Sequence, residues 1–566
     1  MLWLVAEVGF AQQLKQSPAL QDALRSAGGG RVRAWVYFAD KDEATAWVLT
    51  DRAQARRERN GVVIDSFDLP VNPAYVSALA RTGVRVRHES RWLNAVSVEA
   101  TAEQIKRIEM IPFVQRIDRV ASLREPLPTA PKEIDLRRGT SSRQETPFSM
   151  DYGPSLTQNQ QIGVPALHDQ GLSGAGVLIA MLDTGFNNLA HEALVDVDVM
   201  ATWDFVNNDP VVADEPGQAG SGNHGTYTLS ALAGYEPGDL IGPAYGATFI
   251  LAKTENTDWE RHVEEDDWIA GAEWADDLGA DIISSSLGYS TGFTNGEPSY
   301  SWSDMDGNTT IVAIGADIAA SRGILVVNSA GNGGFVSLPQ NTLGSPADGD
   351  GVLAVGAVDA SGIRASFSSV GPSADGQIKP DVMALGIAVV AASPVSATDY
   401  FGVGGTSLAC PLVAGGAALL LEARPSASNI EIMNALRQTA SLAGTPDREY
   451  GYGIVDLLAA RNQILTGVGA PAARPAAELH LPHPTPFNPT TSIRYDISRR
   501  THVTLSIFDV RGELVITLVD DEQAPGSKSI VWNARDRRGQ ALASGVYLCR
   551  LQAGGIQQTR KLVLLK

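Results

Sequence analysis

The chain has 566 residues, is 44% hydrophobic and carries a formal net charge of −20. It is too long for one core, so three or four domains are expected, and an acidic chain of ordinary hydrophobicity makes nucleic acid an improbable partner. No stretch is expected to span a membrane as a helix, and the only two cysteines, Cys410 and Cys549, fall in different predicted domains, which argues against a disulfide framework or a cysteine-based zinc site. The charge is uneven: residues 31–125 hold 16 Lys/Arg against 13 Asp/Glu, and residues 478–566 hold 12 against 8, leaving −27 on the remainder. An acidic middle region facing a mildly basic N-terminal one favours their association, although solubility alone is the plainer use of such charge.

In chain order, residues 2–11 are apolar and precede Gln12-Gln13, like the tail of a signal peptide cut after Ala11; Glu7 interrupts the run and no charged segment precedes it. Residues 1–30 are read as this leader. Residues 33–38, 94–99 and 113–118 read as strands and 102–108 as a helix, a compact α+β domain over 31–120. Residues 121–151 are rich in Pro, Arg and Ser, include Arg137-Arg138, and read as a linker. Over 152–465, apolar runs at 177–182, 248–253, 281–286, 324–328 and 352–358 alternate with helical segments, the pattern of a parallel sheet covered on both faces. An Ala/Pro/Gly linker at 466–477 leads to alternating runs at 492–495, 503–508, 514–518, 530–532, 545–548 and 561–565, a small all-β sandwich over 478–566.

Four segments of the middle region carry chemistry. The run ending Leu182-Asp183-Thr184-Gly185 puts a carboxylate at the C-terminal end of a buried strand, where open α/β sheets place ligands; a turn or cap Asp is the ordinary alternative. Asn223-His224-Gly225-Thr226 sets a histidine at the start of a small-residue helix, and Gly225 suggests close backbone approach. Val327-Asn328-Ser329-Ala330-Gly331-Asn332-Gly333-Gly334 ends a strand in a Gly-rich loop, where Asn332 either accepts turn geometry or donates to an oxyanion. Gly404-Gly405-Thr406-Ser407 runs into a Gly/Ala-rich helix, which poises a serine at a helix start, among free N–H groups.

Together these segments resemble the subtilisin-like serine protease (subtilase, peptidase S8) family, whose order is Asp, His, Ser; the α/β-hydrolase order and its nucleophile elbow do not fit, since no glycine lies two residues after Ser407. The resemblance implies a catalytic triad of Asp183, His224 and Ser407, with Asn332 and the Ser407 N–H binding the oxyanion. Ser286-Leu287-Gly288 matches the family segment that pairs with substrate backbone and, with Ala330-Gly331, walls the pocket before the cut. Tyr227, Leu408 and Cys410 depart from the commoner residues of the family without removing a catalytic group. The resemblance also makes residues 31–120 a propeptide that acts as chaperone and intramolecular inhibitor, so the chain is an autoprocessed zymogen whose partners are protein or peptide substrates. It implies no cofactor for the chemistry and a structural calcium ion whose ligands the sequence does not place. Two rivals are a surface binding protein with an idle subtilase fold, opposed by the four intact groups, and an esterase, opposed by the peptide-binding segment and the propeptide.

Glu264-Glu265-Asp266-Asp267 is expected to precede a helix as solvated acids favoured by its dipole, with a preference for basic substrate residues as the sharper alternative. Asp304-Met305-Asp306-Gly307-Asn308 offers oxygen ligands, but its glycine is misplaced for an EF-hand loop. In the last region, Pro486-Phe487-Asn488-Pro489, Asp509-Val510-Arg511-Gly512 and Ser544-Gly545-Val546-Tyr547 resemble type IX secretion C-terminal sorting domains and FlgD-like modules. That resemblance implies export, with outer-membrane secretion machinery as a partner and a secreted or cell-surface location; a generic accessory sandwich is the alternative.

Overall fold

A computed structural model describes residues 15–41, 49–120, 134–135, 148–218, 220, 222–256, 263–290, 299–466, 477–479, 487, 489–497, 500–524 and 526–564. The expected signal-peptide tail, Arg137-Arg138, most of the 121–151 linker and the 467–476 stretch lie outside them. The chain forms two compact units, one spanning Leu14–Thr466 and the other built from Gly467 onward.

The first unit opens with α1 (Pro18–Ser26), β1 (Arg31–Phe38), α2 (Asp51–Asn60), α3 (Pro73–Ala80), β2 (Arg85–Ser90), β3 (Ala95–Thr101), α4 (Ala102–Glu109) and β4 (Val114–Val120). The four strands form one antiparallel sheet in the order β2-β3-β1-β4. Alternation along β1 sends Ala34, Val36 and Phe38 into a core with Leu20 of α1 and Ile105 and Ile108 of α4, and turns Trp35 the other way. Residues 18–26, assigned to the leader from sequence, are thus part of this fold.

Next in chain order, before the main sheet, comes a two-residue strand, β5 (Ile134–Asp135). The main sheet is wholly parallel and comprises β6 (Leu178–Asp183), β7 (Asp198–Asp204), β8 (Thr248–Lys253), β9 (Ile282–Ser285), β10 (Leu325–Ser329), β11 (Val352–Val358) and β12 (Val382–Leu385). Its order is β12-β11-β10-β9-β6-β8-β7, so strand order reverses at β6. Along β6, Leu178, Ala180 and Leu182 enter one core and Ile179 and Met181 the other, which is why the run is apolar at every position. Helix α5 (His224–Ala233) and a later helix over 406–423 lie on one face; α6 (Val263–Leu278) and α7 (Ile311–Ser321) cover the other. Strand β7 escaped the sequence reading because it is a half-exposed edge, and β12 because it has only four residues. A hairpin of β13 (Val389–Ala392) and β14 (Tyr400–Val403) pairs with β5 and leads into α8 (Thr406–Ala423). Against expectation, α8 is by length and composition apolar enough to span a membrane; it is a core helix, 89% buried between the sheet and its neighbours.

The acids of α6 correct a second expectation. Glu264, Glu265, Asp266 and Asp267 lie inside the helix, and all four are buried. Trp35 Nε1 and Ser97 Oγ donate to Asp266 at 2.5 and 2.6 Å, while Arg87 and His88 meet Asp267 at 3.0 and 2.6 Å. Further along the helix, Ser90 and the Arg91 N–H donate to Glu273. Asp276 receives Arg56, Arg57 (2.8 Å) and Arg91 (2.7 Å), and these charges outweigh burial and hold its carboxyl below the ordinary range. Arg52 and Arg59 take Asp281 at 2.9 and 2.8 Å. The basic N-terminal domain therefore docks on α6 through desolvated ion pairs, a contact whose acids the solvated reading would have left in water.

The second unit comprises β15 (Ala477–Leu479), β16 (Thr491–Ile497), β17 (Thr501–Asp509), β18 (Leu514–Gln523), β19 (Gly526–Trp532), β20 (Gly545–Ala553) and β21 (Ile556–Leu564). Two antiparallel sheets, β15-β16-β19 and β18-β17-β20-β21, close on one core containing Ile493, Tyr495, Leu505, Trp532 and Leu551.

Asp276→Ala leaves Arg56, Arg57 and Arg91 short of their shared carboxylate in a buried site. In the full-length chain it should lower the stability of the first unit by about 3–5 kcal/mol, read as an earlier denaturant midpoint at unchanged slope.

Candidate active site

Asp183 is the last residue of β6, at the point where strand order reverses and a crevice opens beyond the strand ends. It is fully buried, and its carboxylate accepts from three donors: Thr184 N–H (2.7 Å), Thr228 Oγ1 (2.9 Å) and His224 Nδ1 (2.7 Å). Two glycines allow the turn bearing His224 to come this close. A Cβ on Gly222 would stand 2.2 Å from the Thr184 carbonyl oxygen, and one on Gly225 would stand 2.3 Å from that of Gly185. No side chain fits at either position, so the start of α5 lies directly against the Asp183 turn. Burial pulls the His224 imidazolium down, and the charge and hydrogen bond of Asp183 more than reverse this, so its pKa stands above the ordinary value.

Ser407 is the second residue of α8, behind Gly405 with φ of 149°. Its Oγ donates to the Ser286 carbonyl oxygen at 3.3 Å, and Ser286 Oγ donates to the Ser407 carbonyl oxygen at 2.8 Å. The second bond has a covalent cause. Pro411 lies within α8 and lacks the N–H that would bond four residues back, so the Ser407 carbonyl loses its helical donor and Ser286 replaces it. Among the described residues, Ser407 Oγ bonds Ser286 rather than His224; α5 and α8 pack against each other.

Asn332 is exposed on the loop after β10. Its Oδ1 accepts from both the N–H (3.0 Å) and the Oγ1 (3.1 Å) of Thr406, so the amide is anchored beside the turn that opens α8, with Nδ2 as the end left to donate. Ser286, Leu287 and Gly288 follow β9, and Ala330 and Gly331 follow β10, so both segments leave the same end of the sheet as Asp183. Gly288 and Gly344 face each other, each 3.2–3.4 Å from where the other's Cβ would stand. Gly344 N–H donates to the Ala330 carbonyl at 3.1 Å.

Sequence reasoning missed Thr228, Thr406, Gly222 and Gly344. Thr228 had a signal, because it lies four residues after His224 on the same helix face. The others act through backbone proximity between distant segments, which leaves no local trace. Cys410 packs against the carbonyls of Ser285 and Val327, and burial pushes its thiol up to about 12, so it is a core residue without nucleophilic character at neutral pH.

The oxygens of the 304–308 loop are engaged within the protein. Asp304 accepts from the N–H and Oγ of Ser301, and Asp306 Oδ1 accepts from Asn308 N–H. No group of three or more His, Cys, Asp or Glu able to hold an ion occurs among the described residues.

Comparison with known proteins agrees with this architecture. Residues 174–453 match the Subtilase family of peptidase S8, residues 33–134 the peptidase S8 propeptide domain of Bacteroidota, and residues 489–555 the FlgD Ig-like domain. Subtilisin NAT of Bacillus subtilis subsp. natto is 30% identical over 386 residues, covering 68% of this chain and 84% of that protein. The alkaline protease of Shouchella clausii is 30% identical over 389 residues, with the same coverage. Subtilisin of Bacillus pumilus is 33% identical over 314 residues, covering 55% of this chain and 98% of that protein.

In the Ser407→Ala chain, NMR titration of the His224 ring should give a midpoint above the ordinary value of about 6.5. Asp183→Asn should carry it below that value, because burial then acts unopposed.

Proposed function

The chain belongs to the subtilase family and is a serine endopeptidase with a propeptide domain; from that premise we propose that it cuts peptide bonds through an acyl-enzyme on Ser407, after maturing itself from a zymogen. The observation that carries this reading is the fully buried Asp183 carboxylate bonded to His224 Nδ1 at 2.7 Å. It holds the imidazole with Nε2 available as a base and stabilises the ring once charged.

In the forward step Ser407 Oγ leaves the Ser286 carbonyl and bonds the substrate carbonyl carbon, while its proton passes to His224 Nε2. The oxyanion is met by Asn332 Nδ2 and the Ser407 N–H at the helix start. The C–N bond then breaks as His224 returns the proton to the leaving amine. A water repeats the cycle on the ester, releases the acid and restores the Ser407 hydroxyl. Ser286, Leu287 and Gly288 on one side, and Ala330 and Gly331 on the other, hold the acyl part of the substrate.

The N-terminal domain is the intramolecular inhibitor, and its charged seat on α6 is what keeps it bound. Residues 1–11 and the C-terminal unit point to export. The Ig-like match supports the β architecture of that unit, and the sorting role rests on its motif resemblance. The motif residues also have structural work: Asp509 accepts from the N–H groups of Arg511 and Glu513, and Tyr547 donates to the Ala543 carbonyl. Retention inside the cell of a chain lacking 478–566, in a host with type IX machinery, would support the sorting role; unchanged export would refute it.

Wild type should shed an N-terminal fragment and digest casein, while Ser407→Ala stays full-length and inert by intact mass. Asn332→Ala should lower kcat by about 10²–10³, the size such a donor is worth in a related enzyme. Because the neutral ring is the base and its pKa is raised, activity should be lost as pH falls through a value above 6.5. An acid limb centred below about 6 would contradict His224 as that base.

A further inference from the structure

Helix α2 seats on the catalytic domain at the end of the main sheet opposite Asp183 and Ser286. Gly176, Asp281 and Gly323 stand just before β6, β9 and β10, three neighbouring parallel strands, and α2 bonds to all three residues. Asp183 ends the six-residue β6, and Ser286 and Asn332 come after β9 and β10. At about 3.3 Å per residue, roughly 20 Å of strand separates the two ends.

Arg52, Arg56 and Arg59 recur at i, i+4 and i+7 and so share one face of α2. Arg52 donates to the Gly176 carbonyl at 3.2 Å and to Asp281 at 2.9 Å, and Arg59 meets the other Asp281 oxygen at 2.8 Å. Buried Arg56 reaches the carbonyls of Ala280 at 2.6 Å and Arg322 at 3.2 Å, besides Asp276. Thr50, the N-cap of α2, donates at 2.9 Å to the Asp277 carbonyl, one of the last in α6 and without a helical donor. Shape agrees with charge. A Cβ on Gly279 would stand 2.5 Å from Arg52 Cβ, and one on Gly323 would stand 2.6 Å from the Asn60 amide nitrogen. Ala53 is the one apolar residue of α2 that is buried, so polar contacts hold the helix. The seat is two buried carboxylates ringed by carbonyls, and a planar guanidinium fork meets several such acceptors at once where an ammonium meets fewer.

We propose that this seat is an exosite for arginine-bearing helices: it holds α2 in the zymogen and, once the N-terminal domain has left, a helix of the same arginine spacing on a protein substrate. This rests on the maturation proposed above. The first chain such an enzyme cuts is its own, and α2 belongs to that chain, so the seat already serves to hold a substrate. Departure of α2 uncovers Asp276, Asp281 and the surrounding carbonyls on the acidic region of the chain, which draws a cationic partner. The crevice at Asp183 opens at the other strand ends, so the exosite is filled while Ser407 works. A protein held there offers its remaining chain to the crevice at a raised local concentration, and substrates are selected by a feature distant from the cut bond.

The probe is a peptide of residues 49–61, held helical by a lactam between Gln54→Lys and Glu58, both on the exposed face. Fluorescence anisotropy follows its binding to matured enzyme silenced with a sulfonyl fluoride, after intact mass has shown the N-terminal domain gone. Binding should saturate, and should weaken about tenfold or more when Arg52, Arg56 and Arg59 of the peptide become Gln, and also when they become Lys. In the enzyme, Asp281→Asn should weaken binding about tenfold and leave kcat/KM for a small anilide within about twofold. Asp281 also accepts from the Leu178 N–H, so if that variant misfolds the peptide series on unaltered enzyme decides. Joined by a flexible linker to a cleavable peptide, the α2 sequence should lower KM about tenfold relative to its Gln version. No binding, equal binding of the Gln peptide, or inhibition of anilide hydrolysis by the peptide overturns the exosite; the last would put the helix in the crevice instead. A chain that keeps its N-terminal domain overturns the maturation, and the exosite with it, because the seat then never opens. Loss of the domain without peptide binding overturns the exosite alone.

Discussion

A carboxylate removed from water at the end of the central strand is the constraint on which this site depends. Asp183 would be costly to bury alone, and it is stable there because Thr184, Thr228 and His224 all direct donors at it. Those donors come from two segments some forty residues apart, so they can meet only if backbone approaches backbone. Gly222 and Gly225 provide that approach by having no Cβ to place between the turns. The same contact fixes the tautomer of His224 and raises its pKa, so packing and chemistry are one arrangement.

The turn that opens α8 has its own version of this economy. Pro411 removes the helical partner of the Ser407 carbonyl, and Ser286 supplies the replacement from the segment assigned to substrate binding. The first turn of α8 is thereby tied to β9, while Thr406 ties it to Asn332 on the loop after β10. The proposed nucleophile, oxyanion donor and substrate wall are held to one another by hydrogen bonds, so none depends on its own loop for position.

The N-terminal domain is seated by charge rather than by an apolar patch alone. Trp35, Trp92 and Leu93 join the core that α6 shares with the main sheet, but the polar groups around them decide the register. Burial pushes Asp266 up to about 7 despite Arg87. Asp276, with three guanidiniums, moves the other way. The difference lies in the partners: one carboxylate facing a tryptophan N–H and a serine hydroxyl is poorly compensated, and one facing Arg56, Arg57 and Arg91 is more than compensated. Such a surface is stable while the arginines are present and strongly hydrophilic once they are gone, which suits a propeptide domain proposed to hold on first and leave later.

Much of this was legible in the amino-acid sequence. Strands buried on both faces are apolar throughout, so β6, β8, β10 and β11 could be located, and the Asp, His, Asn and Ser motifs lie at element ends marked by glycines. Features decided by distant partners were not legible. Helix α2 was not among the elements read from sequence, and the acids of α6 read as solvated until the arginines of α2 meet them. Helix α8 has the composition of a membrane span and is a core helix only because a sheet covers it. Local sequence determines which segments are apolar, which turn and which carry chemistry, since those follow from each residue's own side chain and backbone. Only the tertiary structure decides which charges lose water together, because desolvation and pairing are properties of two surfaces that meet.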